Sequence, residues 1–411
     1  ERKEVQSLYG SFNLGYKGML YLDGTARNDW SSTLNDPFFY PSGTVSFVFS
    51  ELEALRGNKY LSFGKIRFGA AIAGNDTDPY TNDYYYSYIS NFGDMAMYSV
   101  PGTLANPQLK AEKTQSVEVG TELMFLNNRI GLDVTYYDEA SIDQILAVAI
   151  SGASGYGFKA INAGKITNKG IEVMFRATPV QTKDFTWNLS LNFTKNKNEV
   201  VELAPDLDVY QLASGPFNVS VNAQVGQPYG TLIGSSFVRD ADGNKIVGTN
   251  GKYLIGEVKE IGNVMPDYML GFWSTFNYKG IELAALIDIR QGGQLFSTTN
   301  MWGRYSVILE ETADVNANGK NVRDAVEDGG GVLSEGYYGK LAADGSVIYL
   351  DADGNTSATP VSNGTYVDAE EWGGWHYDGP AEQNIFDASY IKLRELRISY
   401  SIPSKYTGPI Q

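Results

Sequence analysis

The sequence predicts an all-β protein, a transmembrane antiparallel β-barrel with long extracellular loops. Three observations carry that prediction: period-two alternation of apolar and polar residues, strands of roughly 10 to 18 residues, and connections that alternate between short turns and long polar excursions. Alternation alone has two physical sources. A secreted β-sandwich binding module buries its apolar face internally, whereas a membrane barrel turns that face to lipid and its polar face to a wet lumen. Strand length separates them, because sandwich strands stay near about five or six residues and these are long enough to cross a bilayer at a tilt of about 40°.

In chain order, Leu20, Leu22, Gly24 and Ala26 alternate with Tyr21, Asp23, Thr25 and Arg27. Val117, Val119, Leu123 and Phe125 face away from Glu118 and Glu122, and Ile130, Leu132, Val134 and Tyr136 face away from Asp133, Thr135 and Tyr137. Ile171, Val173, Phe175 and Ala177 oppose Glu172, Arg176 and Thr178. Trp187, Leu189, Leu191 and Phe193 oppose Asn188, Ser190, Asn192 and Thr194; Ile281, Leu283, Ala285, Ile287 and Ile289 oppose Glu282, Asp288 and Arg290. Ile391 and Leu393 share one parity while Leu396, Ile398 and Tyr400 take the other, so a bulge is predicted near Arg394-Glu395 to restore the facing. In all, about eleven or twelve strands are predicted, starting near residues 4, 18, 44, 60, 112, 129, 164, 185, 225, 267, 281 and 388.

Turn chemistry marks the short connections at Gly15 to Gly18, Asn127-Asn128, Pro179 to Asp184 and Tyr278-Lys279-Gly280. Between them lie excursions from Asn75 to Glu112, Ala147 to Ala163, Val200 to Val225, and Asn300 to Asp387. Aromatics gather near predicted strand ends (Trp30, Phe38, Phe39, Tyr40; Tyr136, Tyr137; Phe272, Trp273, Tyr278), compatible with interfacial girdles.

Composition agrees. The chain has 28 Tyr, 19 Phe and 45 Gly, which favours strands and tight turns, and its 19% charged residues fall below the quarter or so usual in soluble domains. No apolar run approaches the ~18 residues of a spanning helix, so membrane crossing would require strands. The net charge of −16 opposes nucleic-acid binding, and one His with no Cys removes thiol chemistry and most imidazole-based metal chemistry. The first and last predicted strands have no partner to close against, and unpaired edges in lipid cost several kcal/mol per group. The chain also opens without Met on Glu1-Arg2-Lys3-Glu4. It is therefore expected to be a fragment or processed product whose remaining strands come from elsewhere.

Several segments together resemble those of a known family. Asn106-Pro107-Gln108-Leu109-Lys110-Ala111-Glu112-Lys113-Thr114 resembles the strand entry of TonB-dependent receptors. Asn162-Ala163-Gly164 followed by Asn168-Lys169-Gly170-Ile171-Glu172 is similar to a strand entry of the SusC/RagA family, and Leu22 to Asp29 looks like another of its segments. Pro266-Asp267-Tyr268-Met269-Leu270-Gly271-Phe272 and Tyr390-Ile391-Lys392-Leu393-Arg394-Glu395-Leu396 resemble two of its later strands. The resemblance runs in family order over nearly the whole chain. It implies that residues 1–411 are part of a barrel of about 22 strands, with 300–387 as a long extracellular loop region. It further implies import of oligosaccharides or peptides in the outer membrane of a Bacteroidota-like Gram-negative bacterium, with a SusD-like surface lipoprotein and energy relayed by TonB. Signal, plug, TonB box and final strands are expected to lie outside this chain. A siderophore or cobalamin receptor of the same fold is the alternative.

Candidate residues follow from parity and loop position. Glu118, Glu122, Asp133, Glu172, Arg176, Asp288 and Arg290 are predicted to face the lumen. Tyr84, Tyr85, Tyr86 and Tyr88, with Trp372, Trp375 and Tyr377, are predicted in outer loops, where flat rings stack on sugars or grip a partner, or pack within their own loops. Asp314, Asn316, Asn318 and Gly319 match the opening of a calcium loop, but Ala325 stands where the closing Glu belongs; a structural calcium and a solvated Asx-rich turn are the two readings. No cofactor is required, and no catalytic role is assigned, since acidic loop residues are ordinarily solvated.

Overall fold

The computed structural model describes residues 2–215, 219–374 and 379–402. Eleven strands form one antiparallel wall, each beside its predecessor: β1 Val5–Tyr16, β2 Leu20–Ser31, β3 Phe38–Phe47, β4 Leu61–Asn75, β5 Glu112–Phe125, β6 Ile130–Ala149, β7 Phe158–Gln181, β8 Phe185–Glu202, β9 Tyr268–Tyr278, β10 Ile281–Gln291 and β11 Tyr390–Tyr400. A short segment, Thr103–Leu104, adds to it by pairing in parallel with the start of β7. Among the described residues β1 and β11 each pair on one side only, so the sheet is open. No helix among the described residues is long and apolar enough to cross a membrane.

Two-residue turns with both central φ angles positive close the hairpins at Lys17-Gly18 and Lys279-Gly280, and Leu126, Asn127 and Asn128 are likewise left-handed. That geometry matches the strands' right-handed twist. These turns, the 182–184 turn and the 48–60 connection all lie at one end of the wall. The other end carries the connections 32–37, 76–111, 150–157, 203–267 and 292–389. The expected asymmetry is present, with two corrections. Residues 147–163 are mostly strand, because β6 and β7 pair from Phe158↔Ala149 downward. At about 3.3 Å per residue, the 24-residue β7 is long enough to project well beyond a bilayer.

The second correction concerns the strand expected near 225. The segment Thr231–Phe237 lies outside the wall, in a separate sheet with Val209–Ser214, Ser220–Gln224 and Ile255–Asn263. The 292–389 connection carries helices α1 (Thr298–Tyr305) and α2 (Ala369–Gly374) and locks onto the 203–267 connection. Ile246–Val247 pairs in parallel with Tyr337–Tyr338, Arg239 bridges Glu382 at 2.8 Å, and Lys252 bridges Glu371 at 2.7 Å. The buried apolar clusters sit at this end too: Leu34, Phe38, Leu109, Ala111 and Ala160 in one, Ile166, Val200, Leu203 and Ala223 in the other.

The predicted bulge is observed. Leu286 pairs with Glu395 and Ile287 with Leu393, leaving Arg394 as the extra residue. After it, Leu396, Ile398 and Tyr400 rejoin the face of Ile391 and Leu393.

Candidate functional site on the inner wall and outer loops

Cross-strand register assigns faces without reference to exposure, since directly paired residues share a face. One row runs Lys65↔Glu122↔Asp133↔Met174↔Asn192↔Gly271↔Asp288↔Lys392. Two and four residues along the same strands lie Glu118, Glu172, Arg176 and Arg290, so all seven residues chosen by parity occupy one face. The opposite face carries Thr121, Val134, Val173, Phe193, Leu270, Ile289 and Ile391 along another row. In lipid that row faces outward and the polar row lines the interior.

The outer face has aromatic rows at both ends. Near the short turns stand Tyr16, Phe47, Phe125, Phe185, Phe276, Tyr278 and Tyr400, with Trp187 stacked on Phe276 at 5.6 Å between ring centres. Near the long loops stand Trp30, Phe39, Tyr136, Phe193 and Tyr268. The girdle expectation is corrected in detail, because alternation sends one member of each neighbouring pair inward. Phe38 is buried in a loop-base cluster, Tyr137 donates to Asn196 at 3.2 Å, and Trp273 donates to Thr275 at 2.7 Å.

Several inner charges are paired by cations the motif reading passed over. Lys65 meets Glu122 at 2.7 Å. Both terminal nitrogens of Arg67 donate to Asp133, at 3.0 and 2.7 Å. Arg394, carried inward by the bulge, contacts Asp288 at 2.7 Å, and Tyr390 donates to the same carboxylate at 3.1 Å. Arg397 donates to Glu282 at 2.9 Å. Lys65 and Arg67 were legible by the same alternation against Ile66 and Phe68. Glu118, Glu172 and Arg176 make no ion pair with any described residue. Arg290 donates to the Val264 carbonyl at 2.6 Å, and its buried Nε has no partner.

In the outer region, Tyr84, Tyr85 and Tyr86 line a cavity of about 730 Å3 together with Asp78, Tyr80 and Tyr156, over the inner-facing Ile145, Ala147 and Ala160. Tyr85 packs near Tyr80 at 5.7 Å, while Tyr88 lies apart, edge-on to Tyr98 at 5.9 Å. At the root of this loop Asp76 accepts from Lys3, Ser31 and Thr33; burial raises its pKa, but those donors outweigh burial and hold it below the usual carboxylate range. Trp372 is buried, donating to Ser334 at 3.3 Å with Arg304 5.3 Å from its ring centre, so it packs within the loop and presents no free face. Trp375 and Tyr377 lie outside the described residues.

Asp314, Asn316 and Asn318 sit in a tight turn. The Asn316 side-chain oxygen accepts from the Asn318 and Lys320 amides at 3.0 and 3.3 Å, and its nitrogen donates to the Gly329 and Gly331 carbonyls. A cation seated there would displace those bonds.

The sequence matches the family model "TonB dependent receptor-like, beta-barrel" over residues 1–406, and the chain belongs to that family. It is 28% identical over 314 residues to the TonB-dependent receptor SusC of Bacteroides thetaiotaomicron, covering 69% of this chain and 31% of that protein. It is 25% identical over 433 residues to the TonB-dependent receptor P26 of Formosa agariphila, covering 98% of this chain and 40% of that one. The chain thus spans well under half of these relatives. Its fold superposes on the structure of the RagAB peptide transporter with a TM-score of 0.70 at 20% identity, covering 98% of this chain and 42% of that chain. The molecule is accordingly a β-barrel portion of an outer-membrane TonB-dependent receptor of the SusC/RagA type. The family is one of receptors, not enzymes.

Proposed function

We propose that this wall belongs to an importer that takes up oligosaccharides or peptides together with a SusD-like surface lipoprotein, driven through TonB. The observation that carries the reading is the inner row from Lys65 to Lys392, polar except at Met174 and Gly271, with the tyrosine-lined cavity above the inner-facing Ile145, Ala147 and Ala160. A cavity of about 730 Å3 has the size of an ordinary ligand site. Its aromatic rings offer flat apolar surface and its hydroxyls offer hydrogen bonds, a combination that suits sugar rings and peptide side chains alike. The likeness to SusC and to the RagAB peptide transporter supports the same direction.

The test is uptake by cells expressing the full-length protein, supplied with fluorescent oligosaccharide or peptide pools. Loss of TonB or of the neighbouring lipoprotein should abolish accumulation, and Tyr85→Ala should weaken it severalfold. Accumulation that survives loss of TonB contradicts the proposal.

A further inference from the structure

A second cavity, of about 520 Å3, opens between the two long outer connections. Arg239, Asn244 and Lys245 line it from the 203–267 side, and Glu335, Ser362 and Asn363 from the 292–389 side. Backbone bonds fix its walls: the Tyr337 amide donates to the Lys245 carbonyl at 3.0 Å, and the Asn363 amide to the Gly336 carbonyl at 2.8 Å.

Most polar groups of the lining are already engaged. Arg239 donates to Glu382 at 2.8 Å and to the Gly243 carbonyl at 3.0 Å, and Asn244 donates to Asp240 at 3.0 Å. The Asn363 amide donates to the Ser334 carbonyl and its oxygen accepts from Thr365. Lys245 differs. Its ammonium stands 4.3 Å from the Phe237 ring centre and 5.2 Å from that of Tyr253, with no ion pair or hydrogen bond to any described residue. Two rings set edge to face at 4.9 Å attract and position the cation, but ring faces do not replace a carboxylate acceptor for its three N–H groups. In a chain with 48 acidic and 32 basic residues, a positioned cation without a carboxylate partner on a cavity wall calls for an anionic occupant. Glu335, the carboxylate of the same lining, disfavours a multiply charged one.

We propose that this cavity is a ligand subsite accepting a single carboxylate group, with Lys245 as its counter-ion and the Ser362 hydroxyl as a second donor. The proposal rests on the import reading and narrows its substrate class to carboxylate-bearing oligomers. Two sources share that chemistry: a peptide C-terminus and a uronic acid.

The experiment is calorimetric titration of the full-length protein in detergent with trialanine, trialanine amide, trigalacturonate and maltotriose. At least one carboxylate probe should bind tenfold or more tightly than its neutral counterpart. Lys245→Ala should weaken that probe by about ten- to a hundredfold, as expected for loss of a charge-assisted bond. Lys245→Arg should keep it within about threefold, Ser362→Ala should give a smaller loss, and neutral-probe affinity should not move. Equal affinity for charged and neutral probes, absence of carboxylate binding, or an equal loss for both classes in Lys245→Ala overturns the subsite. TonB-dependent uptake measured on the same strain keeps the outcomes separate: uptake unaffected by Lys245→Ala sinks the subsite alone, and absent uptake sinks the import reading.

Discussion

Arg67 on β4 reaches across Gly120 on β5 to hold Asp133 on β6 with two hydrogen bonds of 3.0 and 2.7 Å. The crossing needs glycine, because a Cβ at Gly120 would stand 2.6 Å from the Arg67 Nε. Tyr137 uses the same device, lying over Gly170 to reach Asn196 two strands away. In both cases a glycine in mid-strand, ordinarily unfavourable, lets a long inner side chain tie three strands together.

Gly120→Val should displace the Arg67 guanidinium and leave Asp133 without its partner. Unfolding of the full-length barrel in denaturant should show a loss of about 1–3 kcal/mol, the usual cost of stranding a hydrogen-bonded group. A double-mutant cycle with Arg67→Met should show the two changes to be non-additive, since both remove one interaction. Additive losses would mean that the crossing does not couple them.

Face assignment predicts an asymmetry between neighbours. Leu191→Arg puts a charge into the lipid-facing row and should cost about 2–4 kcal/mol at mid-membrane depth, seen as loss of heat-modifiable barrel on gels. Asn192→Arg, one residue on, points into the wet interior and should assemble normally. Equal assembly of both variants would contradict the outward orientation of the apolar row.

The outer cap should loosen in acid. Burial raises the Asp240 pKa, but hydrogen bonds from Asn244, Tyr349 and the turn amides outweigh it and place the group below its ordinary range. A carboxyl depressed in the folded state contributes stability above its unfolded pKa, near 3.9, and loses it as pH falls through the lower folded value. Protection of the 240–247 amides, measured against their intrinsic exchange rates, should therefore fall below about pH 4. Asp240→Asn should remove most of that fall.

The wall was legible because each strand separates two different solvents, so alternation at Val117–Phe125 or Ile281–Ile289 records lipid on one side and water on the other. The bulge at Arg394 was legible for the same reason, as a break in parity. Thr231–Phe237 misled because local sequence does not say whether a strand pairs with the wall or with other loop strands. Trp372 shows the limit for loop aromatics: its burial is decided by Ser334 and Arg304, both distant in sequence. The Gly120 and Gly170 crossings were invisible for a related reason, since a glycine's use there depends on which residues the register sets beside it.

The central claim, that β8 separates lipid from an aqueous interior, is tested by single-cysteine scanning along residues 188–193 in a full-length background without other cysteines, to which this chain contributes 0 Cys. With spin labels on the full-length protein in bilayers, Leu189, Leu191 and Phe193 positions should be accessible to oxygen and protected from a water-soluble nickel chelate. Asn188, Ser190 and Asn192 positions should show the reverse or be shielded from both. A profile without period two, or one with Ser190 and Asn192 facing lipid, would contradict the account.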